Sequence, residues 1–167
     1  TIRNHNGMIT VQSEKEKGAI FDIFLPVSAH RLPEEEQPRE RMAIGKGSIL
    51  FVEDEKWICD IGKQMLEAMG YSCLTAQNGR SALEIYEEKR HQIDMVILNM
   101  VMPGMSGGET FGRLIKVNPK IKVLLSSGYG MTEEADEILQ RGCSAFIQKP
   151  FSMNELSQKV SDVINLN

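Results

Sequence analysis

The chain has 167 residues, enough for one domain with an appendage but hardly for two complete domains. Its hydrophobic fraction of 41% and charged fraction of 25% are ordinary for a globular protein, and a net charge of −4 argues against a nucleic-acid binder, which normally has a basic face. No apolar run reaches the roughly 18 residues of a membrane span, and the polar start is unlike a signal peptide. Because its 3 cysteines are widely spaced among apolar neighbours, we expect reduced thiols and a cytoplasmic location. Because no long apolar run is present, we expect no membrane contact by this fragment.

Residues 1–28 predict a β-hairpin. Residues 8–13 alternate apolar and polar side chains, as a half-buried strand does, and residues 19–25 resume the pattern after a charged turn. Gly7 should end a preceding helix in the left-handed conformation. Because an isolated hairpin is marginally stable in water, we expect this one to pack on a second copy or on the domain that follows.

Residues 29–47 are rich in Pro, Glu, Arg and Gln, which predicts a solvated linker. Over residues 48–167, five short apolar runs alternate with five amphipathic stretches. Strands are predicted at 49–52, 71–75, 95–98, 123–125 and 145–147, and helices at 58–69, 81–89, 108–117, 133–140 and 153–164. Continuous apolar runs indicate strands covered on both faces. The predicted fold class is therefore α/β, a doubly wound five-stranded parallel sheet with an N-terminal hairpin, with functional residues at the carboxyl ends of the strands.

Chemically active side chains follow four of the five predicted strands. In chain order they are Glu53, Asp54, Glu55, Asn99, Ser126, Ser127 and Lys149. Carboxylate oxygens bind hard cations, a hydroxyl hydrogen-bonds a phosphoryl oxygen, and a lysine neutralises its charge. Taken singly, the acidic cluster could be a solvated loop, Ser127 a turn cap and Lys149 a surface lysine. Together they predict a site for Mg²⁺ and a phosphoryl group.

Four separated motifs carry these residues: LFVEDE, LNMVMPGMSG, LLSSGY and FIQKPF. In this order and spacing they resemble the response-regulator receiver domain of two-component signalling, over residues 48–167. The resemblance implies a flavodoxin-like sheet with strand order 2-1-3-4-5. It also implies that Glu53 and Asp54 hold the family's Mg²⁺, together with Asn99 and the backbone carbonyl of Val101.

Three further positions match the phosphate-binding and switching parts of the family. Lys149, which precedes what the family has as a cis-proline, matches the phosphate-binding lysine. Ser127 matches the switch hydroxyl better than Ser126, from its distance to Lys149. Phe146 matches the switch aromatic, although it could also be a plain core residue.

Asn99 departs from the family, which has its phosphoacceptor aspartate at this position. An amide oxygen is a poor nucleophile, so no aspartyl phosphate can form on it. Losing the charge should also weaken the metal site, since a unit charge about 4 Å from a cation is worth roughly 4 kcal/mol at an effective dielectric near 20. An engineered Asp→Asn change and a natural loss are both open. The intact remainder of the site favours an engineered change or a recent loss.

The first 28 residues resemble a second family through NHNGMITVQSE followed by GAIFDIFLPVS. They are similar to the C-terminal hairpin of a histidine-kinase ATP-binding domain, whose ATP-binding boxes lie upstream of it. We therefore expect no ATP binding and no independent enzyme activity in this chain. A kinase end followed by a receiver implies a hybrid histidine kinase, with a histidine kinase or a histidine phosphotransfer domain as partner.

Three functions compete. The chain could be a phosphorelay receiver, or a pseudo-receiver that docks or forms a homodimer through its hairpin or its fourth and fifth helices. A phosphohydrolase or flavodoxin-like cofactor binder is disfavoured because no phosphate-cradling glycine loop follows the first strand. Trp57 should lie near the site and report metal binding, and Met100, Met102 and Met105 could line its rim.

Overall fold

The structure, a computed structural model, describes residues 2–27 and 45–166. The predicted linker lies outside the described residues except for its last three positions, 45–47. The chain divides into two compact units, Thr1–Glu40 and Arg41–Asn167. Within the described ranges, every helix is too short or too polar to cross a bilayer.

The smaller unit contains the predicted hairpin. A short 3₁₀ helix, Ile2–His5, precedes β1 (Met8–Glu14) and β2 (Gly18–Phe24), which pair antiparallel. Each strand is one residue longer at the turn than the sequence pattern predicts. The hairpin itself is confirmed.

One face of the hairpin is apolar. The register sets Ile9 opposite Ile23 and Val11 opposite Phe21, and alternation puts these four side chains on the same face. Between 45% and 63% of each of these residues is exposed. The face therefore lacks a cover among the described residues.

The prediction that Gly7 ends the preceding helix in the left-handed conformation is wrong. The left-handed residue after the 3₁₀ helix is Asn6, with φ of 53°, and asparagine tolerates this conformation better than most residues. Gly7 is needed instead for space, because a Cβ there would lie 2.6 Å from the backbone oxygen of Phe24.

Five strands and five helices alternate in the larger unit. Along the chain they are β3 (Ser48–Val52), α1 (Lys56–Ala68), β4 (Ser72–Ala76), α2 (Gly79–Lys89), β5 (Met95–Asn99), α3 (Gly107–Val117), β6 (Lys122–Ser127), α4 (Glu133–Gln140), β7 (Ala145–Gln148) and α5 (Met153–Ile164). The strands form one parallel sheet in the order β4-β3-β5-β6-β7. Counted within this unit, that is the predicted order 2-1-3-4-5, and the predicted fold class is confirmed.

Both faces of the sheet are covered by core. Val96 and Leu98 of β5 pack in the cluster that includes side chains from α2, α3 and α4, whereas Met95 and Ile97 pack with side chains from α1 and α5. All four are fully buried, and each such side chain contributes about 1.5–3 kcal/mol by leaving water. The continuous apolar run of β5 is explained by this burial on both sides.

All three cysteines lie in the larger unit and are free. Burial raises the pKa of Cys73 to about 12 and that of Cys143 to about 11. Both thiols therefore stay protonated near neutral pH, where they act as small apolar side chains.

The loop after β5 is fixed at its far end by a helix cap. The Ser106 hydroxyl accepts from the backbone N–H of Glu109 at 3.2 Å, and the Glu109 carboxylate accepts from the Ser106 N–H at 3.1 Å. This reciprocal pair is a capping box. It anchors α3 at the end of the loop that begins with Asn99.

Candidate functional site

The candidate site lies at the carboxyl ends of β3, β5 and β7. Because β3 and β5 are neighbours in the sheet, the residues that follow β3 lie beside Asn99, the last residue of β5. Glu53 is 1% exposed and Asn99 is 6% exposed. Buried polar groups need partners, so the contacts of these two side chains define the site.

The Asn99 amide contacts three oxygens. Its Nδ2 lies 3.2 Å from Glu53 Oε1, 2.9 Å from Asp54 Oδ1 and 2.9 Å from the backbone oxygen of Val101. An amide nitrogen has two hydrogens, so the three contacts share two donors. With the amide reversed, its own oxygen would face three other acceptors, so these contacts favour the nitrogen on this side.

Lys149 contacts the other oxygen of Glu53. The ammonium donates to Glu53 Oε2, and both side chains are largely buried. Burial raises the pKa of Glu53, while the hydrogen bond and the charge of Lys149 oppose that rise. Lys149 is followed by a cis bond to Pro150, as the resemblance implies.

The two serines at the end of β6 differ in their contacts. The strand is longer than predicted and includes both. The Ser127 hydroxyl accepts from the Tyr129 N–H at 3.1 Å, and its carbonyl accepts from the Lys149 N–H at 2.7 Å. Ser126 Oγ is buried and has no hydrogen-bond partner among the described residues. The backbone link to Lys149 therefore belongs to Ser127.

The other residues predicted at or near the site differ in burial and contacts. Phe146 is half-buried and packs against the core cluster on the α2–α4 side of the sheet. Trp57 is exposed, and its indole N–H donates to Glu55 Oε2 at 2.8 Å. Met100 and Met102 are not rim residues, because both are buried in the core.

A cavity of about 720 Å³ opens beside Asp54. It is lined by Asp54, Gln77, Asn78, Arg80, Pro103, Gly104 and Met105. Sequence reasoning missed Gln77, Asn78 and Arg80, which follow β4. The rule that function lies at the carboxyl ends of strands would have found them had it also been applied to β4.

The oxygens around the Asn99 nitrogen suit a hard cation. Among the described residues, no group of three or more His, Cys, Asp or Glu side chains is placed to hold a metal. Glu53, Asp54 and the Val101 carbonyl nevertheless converge on one point from three positions. Carboxylate and carbonyl oxygens are what Mg²⁺ prefers. The donor set therefore fits Mg²⁺, at the point where the amide nitrogen lies.

Comparisons of sequence and of structure with known proteins point to the same family. The sequence profile of the response regulator receiver domain matches residues 49–161. The sensor kinase CckA of Brucella abortus is 32% identical over 176 residues, which cover 98% of this chain but 18% of that protein. The chain thus spans about a fifth of the length of this relative.

Two solved structures are similar in fold and sequence. A response regulator receiver domain protein from Clostridium thermocellum is 31% identical with a TM-score of 0.69, over 71% of this chain and 94% of that one. The response regulator TrrA from Thermotoga maritima, solved in complex with Mg²⁺ and BeF, is 32% identical with a TM-score of 0.64, over 70% of this chain and 98% of that one. The chain belongs to the response regulator receiver domain family, the receivers of two-component phosphorelay signalling.

Proposed function

We propose that this chain is the receiver of a hybrid histidine kinase in which Asn99 occupies the phosphoacceptor position, so that the chain as written cannot accept a phosphoryl group. The supporting observation is the place of Asn99, at the end of the central strand and in contact with both carboxylates of the acidic pair. A neutral amide at that place lacks the nucleophilic oxygen that phosphoryl transfer needs.

The surrounding residues are proposed to keep their family roles. Glu53, Asp54 and the Val101 carbonyl would hold Mg²⁺, weakly while Asn99 lies beside them, and bound Mg²⁺ would neutralise charge on a phosphoryl group. Lys149 would neutralise further charge through its ammonium.

Switching is proposed to use two further residues. The Ser127 hydroxyl would hydrogen-bond a phosphoryl oxygen. Its backbone is already joined to that of Lys149, so a shift at the serine would reach β7. Phe146, in the same strand and half-buried, would change its packing in response.

The hybrid-kinase origin is supported by the extent of the sequence similarity to one relative. The similarity to the sensor kinase covers 98% of this chain, and therefore includes the hairpin as well as the receiver. The proposed parent would be a kinase with its ATP-binding domain upstream and a cytoplasmic receiver. Its partner would be a histidine kinase or a histidine phosphotransfer domain.

A second candidate is a pseudo-receiver that acts by binding alone. It is favoured by the closed hydrogen bonding of the site, in which Asn99 and Lys149 both contact Glu53. Docking or homodimer formation would then use α4 and α5 or the hairpin, without chemistry.

A phosphorylation assay separates these candidates. The chain and its Asn99→Asp variant are incubated with acetyl phosphate or a phosphohistidine donor, with Asn154→Asp as the matched control. Asn154 is exposed in the first turn of α5 and undergoes the same chemical change. Labelling of Asn99→Asp alone supports an altered true receiver, whereas failure of every variant favours the pseudo-receiver. Stable labelling of the unchanged chain would overturn the assignment of Asn99.

A further inference from the structure

We propose that the side-chain amide of Asn99 takes the position of the divalent cation and competes with Mg²⁺ for the same three oxygens. The acidic pocket is then closed from within the chain and keeps its geometry without metal. This inference rests on the proposed function, because it takes Glu53, Asp54 and the Val101 carbonyl as the metal-binding oxygens.

The convergence of three acceptors on one nitrogen carries the inference. Glu53 Oε1, Asp54 Oδ1 and the Val101 oxygen all lie 2.9–3.2 Å from Asn99 Nδ2. Three oxygens that surround one point are what a cation site requires, and the N–H groups of an amide present partial positive charge to them. The amide therefore satisfies, without a full charge, the acceptors that a cation would otherwise satisfy.

The rest of the pocket is consistent with closure. Lys149 holds the second oxygen of Glu53, so both oxygens of that buried carboxylate have a donor. An aspartate in place of Asn99 would put a third carboxylate against the same oxygens, and like charges at this separation repel. A bound cation would offset this repulsion. An asparagine at position 99 therefore removes both the acceptor carboxylate and the repulsion that favours a metal.

Deleting the Asn99 side chain should change the Mg²⁺ affinity in opposite directions in the two cases, competitor or ligand. If Asn99 held Mg²⁺ through its amide oxygen, deleting the side chain would weaken metal binding. If the amide nitrogen occupies the place of the cation, deleting it frees three oxygens and strengthens binding. Water can complete the coordination, because Mg²⁺ usually keeps several waters.

The test compares the Mg²⁺ affinity of the full chain with that of its Asn99→Ala and Asn99→Asp variants, by calorimetry and by Trp57 fluorescence. Asn99→Asp should bind most tightly and the unchanged chain least. Asn99→Ala should bind about three- to tenfold more tightly than the unchanged chain, the factor that corresponds to one net hydrogen bond. Affinity of Asn99→Ala equal to or weaker than that of the unchanged chain would overturn the inference.

Thermal melting gives a second readout that does not need the alanine variant to fold well. In the presence of a chelator, the melting temperature of Asn99→Asp should be at least about 3 °C below that of the Asn154→Asp control, and it should rise again when Mg²⁺ is added in excess. The unchanged chain should melt at the same temperature with or without Mg²⁺. A Mg²⁺-dependent rise in the unchanged chain as large as that in Asn99→Asp would contradict the inference.

The same titrations distinguish failure of the proposed metal site from failure of the proposed competition by Asn99. If Asn99→Asp binds Mg²⁺ but Asn99→Ala gains nothing, the competition is wrong and the proposed metal site stands. If none of the three chains binds Mg²⁺, the proposed metal site is wrong and the competition fails with it.

Discussion

The hairpin and the parallel sheet differ in how they cover their apolar side chains. Every residue of β5 is buried, between α2, α3 and α4 on one face and α1 and α5 on the other. In β1 and β2, Val11 and Phe21 are paired across the strands and about three-fifths exposed. The sheet thus has a core of its own, whereas the hairpin has strand pairing without a core among the described residues.

This difference separates two kinds of sequence signal. A continuous apolar run has to be covered on both faces, and the helices between the strands supply that cover. An alternating run needs cover on one face only, and nothing local to the hairpin supplies it. We therefore expect the stability of the larger unit to be independent of the hairpin, and the hairpin to depend on further contacts.

The largest expected effect comes from the core of the sheet. Leu98→Ala should lower the free energy of unfolding by about 3–5 kcal/mol, because Leu98 is fully buried in β5 and a cavity would remain. Chemical denaturation followed by far-UV circular dichroism measures this loss. A loss below about 1 kcal/mol would mean that the sheet does not depend on the core described for it.

The buried ion pair at the carboxyl edge should give the next largest effect. Lys149→Met should lower the free energy of unfolding by about 2–3 kcal/mol, since it removes the charged donor that contacts the buried Glu53 carboxylate. The matched control is Lys56→Met, which removes the exposed partner of Asp60 and should cost far less. Equal losses for the two variants would show that burial does not distinguish these pairs.

The smallest expected effect comes from the hairpin. Phe21→Ala should change the free energy of unfolding of the larger unit by less than about 0.5 kcal/mol, because Phe21 is exposed. The same denaturation experiment measures it beside Leu98→Ala. A loss comparable to that of Leu98→Ala would mean that the stability of the sheet depends on the hairpin.

The elements could be predicted from the sequence because their signals are local. Short apolar runs and amphipathic stretches predicted all five strands and all five helices of the larger unit, with ends within about two residues. The largest difference in length is in β6, predicted at 123–125 and observed at Lys122–Ser127. Its last two residues are serines, which extend the strand by pairing with Asn99 and Gln148 and leave no apolar signal.

The position of the site could also be predicted, but its internal contacts could not. The sheet order brings Glu53, Asp54 and Asn99 to one edge, and this follows from topology. Which atom of Asn99 faces the carboxylates depends on three oxygens in space, one of them the backbone carbonyl of Val101. From the sequence, Asn99 is expected to be a weak metal ligand. In the structure its amide nitrogen is a hydrogen-bond donor to Glu53, Asp54 and the Val101 carbonyl.

The identity of the residue that takes the phosphoryl group decides whether position 99 is the acceptor position. The Asn99→Asp variant is treated with acetyl phosphate and Mg²⁺, the acyl phosphate is reduced with borohydride, and the modified peptide is identified by mass spectrometry. We expect modification at position 99 in the variant and none in the unchanged chain. Modification at Asp54 or at another carboxylate, with position 99 untouched, would contradict it.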